Sequence, residues 1–402
     1  MTSPTPPTEP PPRSPIASDK SEERHASWLE LFFDLVAVAG VAQLAHLVHG
    51  STSWADVGLY VVCFLAFWTA WMCFTVYGNV AKGAARTLPV LLAMAGLAFM
   101  AASVEDIHGT HAKVFAVAYV AVRALADRVW ESRRAGVKVI VDWPVAQLGF
   151  GVFPWIASIW VESPWRYGLW ALGLALDLVI TFAVSGDRLV ANVTAKLAHR
   201  DGPVQRPTLA RLDTVHFGER LGLFTIIVLG EGVLAVIDAM ASTPEWHARL
   251  FWTVIAALGL LATLWGTSLN QGFGGIPYLA ADALGPRLLL PLHALVAGLL
   301  AAFAGGLGDA VESVSEGHLE AGTRWLLCGI VAALALIGSL AGLAAGRGVR
   351  WAVTTVIPGL AIPVALGLAG ERLGPVVILW LLIVAVGAGL VRRRGASAQN
   401  PA

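Results

Sequence analysis

The sequence predicts an all-α membrane protein, a polytopic bundle of about twelve transmembrane helices. Three observations lead there. Apolar residues make up 57% of the 402 residues and charged ones only 13%, with a mean hydropathy of +0.70; soluble chains carry about 25% charge. Apolar runs of about 20 residues recur along the chain, the length that crosses a bilayer as a helix. Sixteen Trp and 42 Gly suit interfacial anchoring and close helix packing. The net charge of zero gives no basic surface for nucleic acid. Cys63, Cys73 and Cys328 lie within apolar spans and form no CxxC pair, so neither disulfide nor metal chemistry is expected, and no cofactor.

Residues 1–27 are Pro-rich and polar and predict a disordered cytoplasmic N-terminus. The charged stretch leads into a full-length span, which reads as an uncleaved anchor and not as a secretory signal. The expected spans are 28–49, 55–78, 87–103, 112–131, 137–160 and 165–185 in a first half. In a second half they are 216–239, 246–270, 288–308, 324–345, 349–369 and 374–391. The halves, 28–185 and 216–391, are joined by a linker over 186–215. Its Leu189, Val190, Val193 and Leu197 recur at helical spacing beside Arg188, Lys196 and Arg200, which predicts an amphipathic helix on the inner leaflet. A solvated linker is the plainer alternative. Residues 392–402 form a cytoplasmic tail.

Loop charge sets the orientation. With the N-terminus inside, the inner segments hold 20 of the 27 Lys and Arg, and the outer loops hold five: Lys113, Arg166, Arg249, Arg324 and Arg372. That bias under the positive-inside rule predicts an even span count with both termini cytoplasmic. The two halves also share a weak pattern: Glu30 with Glu219, Gln43 with Glu231, Phe67–Trp68 with Phe251–Trp252, and Asn79 with Asn270. Both begin inside, so the expectation is a parallel repeat of two six-helix units.

Among the ionisable residues inside expected spans, seven stand out: Glu30, Asp34, Arg123, Asp177, Glu219, Arg220 and Glu231. A charge at a bilayer centre costs about 2.5–3.5 kcal/mol on insertion scales, so such residues are candidates for function. Asp34 lies about 9 Å from the inner face, and Arg123 and Asp177 about 12 Å, at 1.5 Å per residue. These three share a level at which they could meet. Glu30 precedes Asp34 by one turn on the same helix face. On the seventh span His216, Arg220 and Glu231 fall within about 60° of one another, with Glu219 about 60° to the other side. Five acids against two arginines leave a net charge of minus three, to be relieved by protonation, bound cations or water. Plainer roles stand beside these: helix capping for Glu30 and Glu219, a structural ion pair for Arg123 with Asp127 or Asp177, and interhelical hydrogen bonds for Gln43 and His46. Glu105, Asp106, His108 and His111 have metal-ligand side chains in what reads as an ordinary polar loop. The run Asn270-Gln271-Gly272-Phe273-Gly274-Gly275 predicts a turn, a candidate gate.

Two stretches are more specific than their hydropathy. Trp28–Val36 (WLELFFDLV) followed by Ala42–Val48 (AQLAHLV) resembles the opening of the bacterial low temperature requirement A family, and His216–Val236 (HFGERLGLFTIIVLGEGVLAV) resembles its second signature. Tyr77-Gly78-Asn79-Val80-Ala81-Lys82 keeps the Asn of a family run that elsewhere continues with Arg and Asp. The resemblance implies an integral protein of a bacterial inner membrane, which the low Lys and high Arg, Ala and Gly content suits. It brings no settled substrate, because the family is defined by sequence and by a growth phenotype in the cold.

These readings predict a proton- or cation-coupled transporter or permease of a small solute. Asp34 and Glu231 lead the coupling candidates, with Glu30, Glu219, Arg220, Arg123, Asp177, His216 and Gln43 around them. Phe32-Phe33-Asp34 is also similar to the Phe-Ser-Asp motif of an endolysosomal potassium channel family, which implies a cation channel as the alternative, although Leu223 holds the Asp34-equivalent place in the second half. A membrane-embedded sensor or enzyme in cold adaptation is the third reading. No Ser-His-Asp order or HExxH motif supports catalysis, so no enzyme is expected.

Overall fold

The computed structural model describes residues 26–48, 53–81, 85–130, 139–141, 143, 145–197, 208–210 and 212–397. The expected disordered N-terminus falls almost wholly outside these residues, as do the end of the C-terminal tail and part of the linker. Helix α1 (Trp28–Ala42) runs on as a 3-10 turn over Gln43–Val48 and is followed by α2 (Trp54–Ala81), α3 (Thr87–Ala102) and α4 (His111–Arg128). A three-residue strand β1 (Val139–Val141) precedes two short helices, α5 (Val145–Leu148) and α6 (Val152–Ser158). Then come α7 (Trp165–Ala183), α8 (Gly186–Leu197) and β2 (Thr208–Ala210), which pairs in parallel with β1. The second half holds α9 (Thr214–Ser242), α10 (Ala248–Trp265) with a π-turn over Gly266–Asn270, α11 (Pro286–Glu312), α12 (Ala321–Ala344), α13 (Val349–Ala369) and α14 (Pro375–Ser397).

Eight of these helices are long and apolar enough to cross a membrane, and α3 and α14 are shorter apolar helices. Helix α4 is long enough but carries Lys113, Arg123, Asp127 and Arg128. The segment expected as a fifth span, 137–160, is not one helix. It breaks into β1, α5 and α6, with Gly149 at φ +49° between the last two. A left-handed residue cannot continue an α-helix, and glycine takes that conformation without a Cβ clash. The loop before α4 is also settled by backbone bonding: Asp106 Oδ2 accepts from the N–H groups of His111 and Thr110. The His111 and Thr110 bonds hold its carboxyl below the usual aspartate range. Among the described residues no group of three or more His, Cys, Asp or Glu is placed to hold a metal.

Helix α9 is the axis of the bundle. It packs along α11 and also meets α1, α2 and α10, so the two halves join through it. The join is fastened at one end by a reciprocal pair. Asn79 Nδ2 donates to the Asp213 carbonyl at 3.0 Å, and the Asp213 N–H donates to Asn79 Oδ1 at 2.9 Å. Asp213 in turn caps α9 by accepting the His216 N–H. The glycine-rich turn after α10 lies against the same stretch of α9: Gly218 faces the Phe273 ring, Gly274 faces Leu221, and Gly275 (φ +78°) faces Thr225. The Phe–Trp pairs matched between the halves sit in unlike settings. Phe67 and Trp68 are in the core, whereas Phe251 and Trp252 are 60% and 52% exposed on the outer surface.

Candidate functional site

Ser27 begins α1 with a capping box. Its hydroxyl accepts the Glu30 N–H at 3.3 Å, and Glu30 Oε2 takes the Ser27 N–H at 2.8 Å. That bonding commits one carboxylate oxygen of Glu30 to the helix start. The other oxygen faces α9: Glu30 Oε1 lies 3.1 Å from Arg220 Nη1 and 3.4 Å from His216 Nε2. Gly78 of α2 leaves the space for this carboxylate, since a Cβ there would stand 2.9 Å from Oε1.

One turn further along α1, Asp34 is fully buried. Arg220 Nε donates to its Oδ2 at 2.9 Å, Arg220 Nη2 donates to Oδ1, and Trp71 Nε1 donates to Oδ1 at 2.7 Å. The fork of the guanidinium fits the two carboxylate oxygens side by side, the strongest form of such a pair. Trp71 is held by the Phe224 ring, 4.2 Å away centre to centre. Behind it His293 of α11 accepts from Trp68 Nε1 at Nδ1 and donates from Nε2 to the Leu221 carbonyl. This bonding suits a neutral imidazole with its proton on Nε2. The result is a compact knot of α1, α2, α9 and α11 around Arg220. Glu219 stands at its rim, its side chain 35% exposed and 3.9 Å from His216 Nδ1.

Arg123 and Asp177 do not join Asp34. They form a second buried pair at 2.8 Å between α4 and α7, and each also serves the broken segment. Arg123 Nη2 donates to the Val145 carbonyl at 3.0 Å, and Asp177 Oδ1 accepts the Gly151 N–H at 3.0 Å. Backbone groups freed at membrane depth need partners inside the protein, and this ion pair supplies two. Of the negative charge summed from sequence, Asp34 and Glu30 meet Arg220, and Asp177 meets Arg123.

Glu231 lies elsewhere, 11 residues beyond Arg220 on α9, about 16 Å at 1.5 Å per residue. With Gln43 at the start of the 3-10 turn it lines a cavity of about 380 Å³ between α1, α9 and α11. Asp238 and Glu312 line it too, and small residues such as Ala42, Ala235, Ala304 and Gly305 open the space. The charged residues lining it among those described are all acidic. At its Asp34 side stands Val38, one turn from that carboxylate, together with Val228.

Several participants are not marked in the sequence. Trp71 and His293 are single polar atoms in apolar helices, and no spacing ties them to Asp34. Asp238 was accessible, being seven residues after Glu231 and so on the same helix face. The side chain of His46 lies outside what the structure describes.

A family model described as bacterial low temperature requirement A protein matches residues 25–389 of the chain. No curated protein and no solved structure matches it.

Proposed function

The chain belongs to the bacterial low temperature requirement A family, and we propose that it acts there as a proton- or cation-coupled transporter of a small solute. The observation that carries this reading is the stacking, along one face of α9, of an acid-lined cavity, a short apolar stretch and a buried ionic knot. We assign the knot to the cytoplasmic side of an inner membrane and the cavity to the outer side, following the loop charges. The layout behind this is twelve spans in two six-helix halves, the broken segment passing as the fifth. A cation entering the cavity meets Glu231, Asp238 and Glu312, then Val38 and Val228, and then Asp34. The Asp34–Arg220 pair closes the inner side, and exchange of Arg220 for a cation or proton at Asp34 opens it. Glu30 and His216, adjoining the knot, receive the cation or return the guanidinium. Paired acids and cations at a repeat interface suit alternating access.

The experiment is proton and potassium flux into proteoliposomes by the wild type, Glu231→Gln and Asp34→Asn. Flux by the wild type, lost in Glu231→Gln while the variant remains folded, supports the reading. Absence of flux with correctly inserted protein overturns it. A cation channel is the second reading, favoured by the purely acidic charge of the cavity; it would show as current that does not saturate with any solute.

A further inference from the structure

A second cleft, of about 610 Å³, opens at the same end of the bundle as Glu30 but between different helices. Its walls come from the end of the π-turn (Asn270, Gln271), the loop residue Tyr278, and the α12–α13 connection with the start of α13 (Arg347, Gly348, Trp351). Arg347 is the one charged residue among those lining it. Its guanidinium sits in the corner of two nearly perpendicular rings, with Cζ 4.9 Å from the centres of both Tyr278 and Trp351, and Nη2 donates to the Gln271 carbonyl at 3.3 Å.

The local backbone is built to hold this arrangement. Tyr278 has φ +60°, the one non-glycine residue in the left-handed region among those described. Such a conformation is disfavoured for a side-chain-bearing residue and persists where the surroundings require it. Its N–H is tied to the Thr267 carbonyl inside the π-turn, itself a feature enriched at functional sites. Gln271 Oε1 is buried with no hydrogen-bond partner among the described residues. Buried polar atoms without partners are rare and point to a missing group.

We propose that this cleft binds a phosphate ester that also carries a hydroxyl, as a glycerophosphate group does. Arg347 takes the phosphate oxygens, and Gln271 Oε1 accepts the hydroxyl. Aromatic rings at Arg347 fix the guanidinium direction before the ligand arrives, which lowers the ordering cost of binding. The site is independent of the transport reading, since none of its residues lies in the ionic knot or the acidic cavity.

The phosphate could belong to a lipid headgroup or to a free metabolite, and the test separates them. Full-length protein is placed in nanodiscs of mixed phosphatidylglycerol and phosphatidylcholine, and retained lipid is counted by native mass spectrometry. In parallel, delipidated protein in a neutral detergent is titrated calorimetrically with sn-glycerol 3-phosphate. Wild type, Arg347→Gln, Gln271→Ala and Arg350→Gln are compared, the last removing a neighbouring exposed charge that does not line the cleft. Selective retention of phosphatidylglycerol, weakened at least tenfold in Arg347→Gln and unchanged in Arg350→Gln, supports a lipid source. The same variant pattern with glycerol 3-phosphate alone supports a soluble source. Should Arg347→Gln not fold, several-fold weakening in Gln271→Ala, compared alongside, takes its place. Binding of neither probe by the wild type, or binding indifferent to both cleft variants, overturns the proposal.

Discussion

Arg220 of α9 holds Asp34 of α1 with two N–H donors while its third nitrogen reaches Glu30, so one guanidinium joins two successive turns of the first helix. Each removal within this knot leaves a different group stranded, and that difference can be measured. Asp34→Asn is expected to destabilise the protein by about 3–5 kcal/mol, the range for removing one partner of a buried ion pair. The double variant Asp34→Leu/Arg220→Met should recover only part of that loss, because the pair leaves together but the Glu30 carboxylate loses Arg220. A remainder of about 1–3 kcal/mol should persist from the Trp71 N–H, which loses its acceptor. Equilibrium unfolding in detergent measures all three.

The two oxygens of Glu30 have separate duties, so they can be tested separately. Ser27→Ala removes the cap while leaving Oε1 opposite Arg220 and His216; the expected loss is about 1 kcal/mol. Glu30→Gln keeps an acceptor for the Ser27 N–H and removes the charge facing Arg220. If the knot matters for flux, Glu30→Gln should alter flux more than Ser27→Ala at similar stability. Equal effects on flux would reduce Glu30 to a cap.

The Arg123–Asp177 pair should respond differently from Asp34–Arg220. Arg123→Met alone is expected to cost about 3–5 kcal/mol. The double variant Arg123→Met/Asp177→Leu should not recover, because the Val145 carbonyl and the Gly151 N–H both lose their partners. Unfolding of the two double variants side by side checks the contrast.

Gly275 combines φ +78° with close approach to Thr225. Gly275→Ala should therefore destabilise by about 1–3 kcal/mol through backbone strain and contact. Thr225→Gly in the same chain should relieve the contact and leave the strain at position 275, whereas Thr225→Ala keeps a Cβ 2.8 Å away and should restore less. Thermal melting of the single and double variants is the measurement.

Hydropathy and the two family-like stretches made the helical character and the placing of most helices legible before any coordinates. Length and apolarity survive translation into structure because each helix satisfies its own backbone in a membrane. The break at 137–160 was not legible, because its residues are apolar enough for a helix and the compensating groups, Arg123 and Asp177, lie on other helices. Arg123 and Asp177 count to a depth similar to that of Asp34 along their spans, but depth says nothing about which helices are neighbours. The relation of Asp34 to Arg220 was hidden for the same reason: the two lie on different helices 186 residues apart, and no spacing within one helix relates them. Counting net charge over the whole set likewise merged two closed ion pairs with one acidic cavity. His216 and Arg220 were identifiable on a shared face of α9, whereas Trp71 carries its single donor on a side chain that otherwise reads as packing.

Asp34 and Arg220 stand 186 residues apart in the chain. At about 5–20 residues per second of synthesis, the aspartate is made about 10–40 s before its guanidinium exists. During that wait the growing chain has an acidic group in its first hydrophobic segment and nothing of its own, among the described contacts of Asp34, to balance it. Until α9 emerges, that carboxylate is relieved by a proton or by water, not by its guanidinium. The order of the helices along the ribosome withholds the ionic partner of the first helix until the ninth is made.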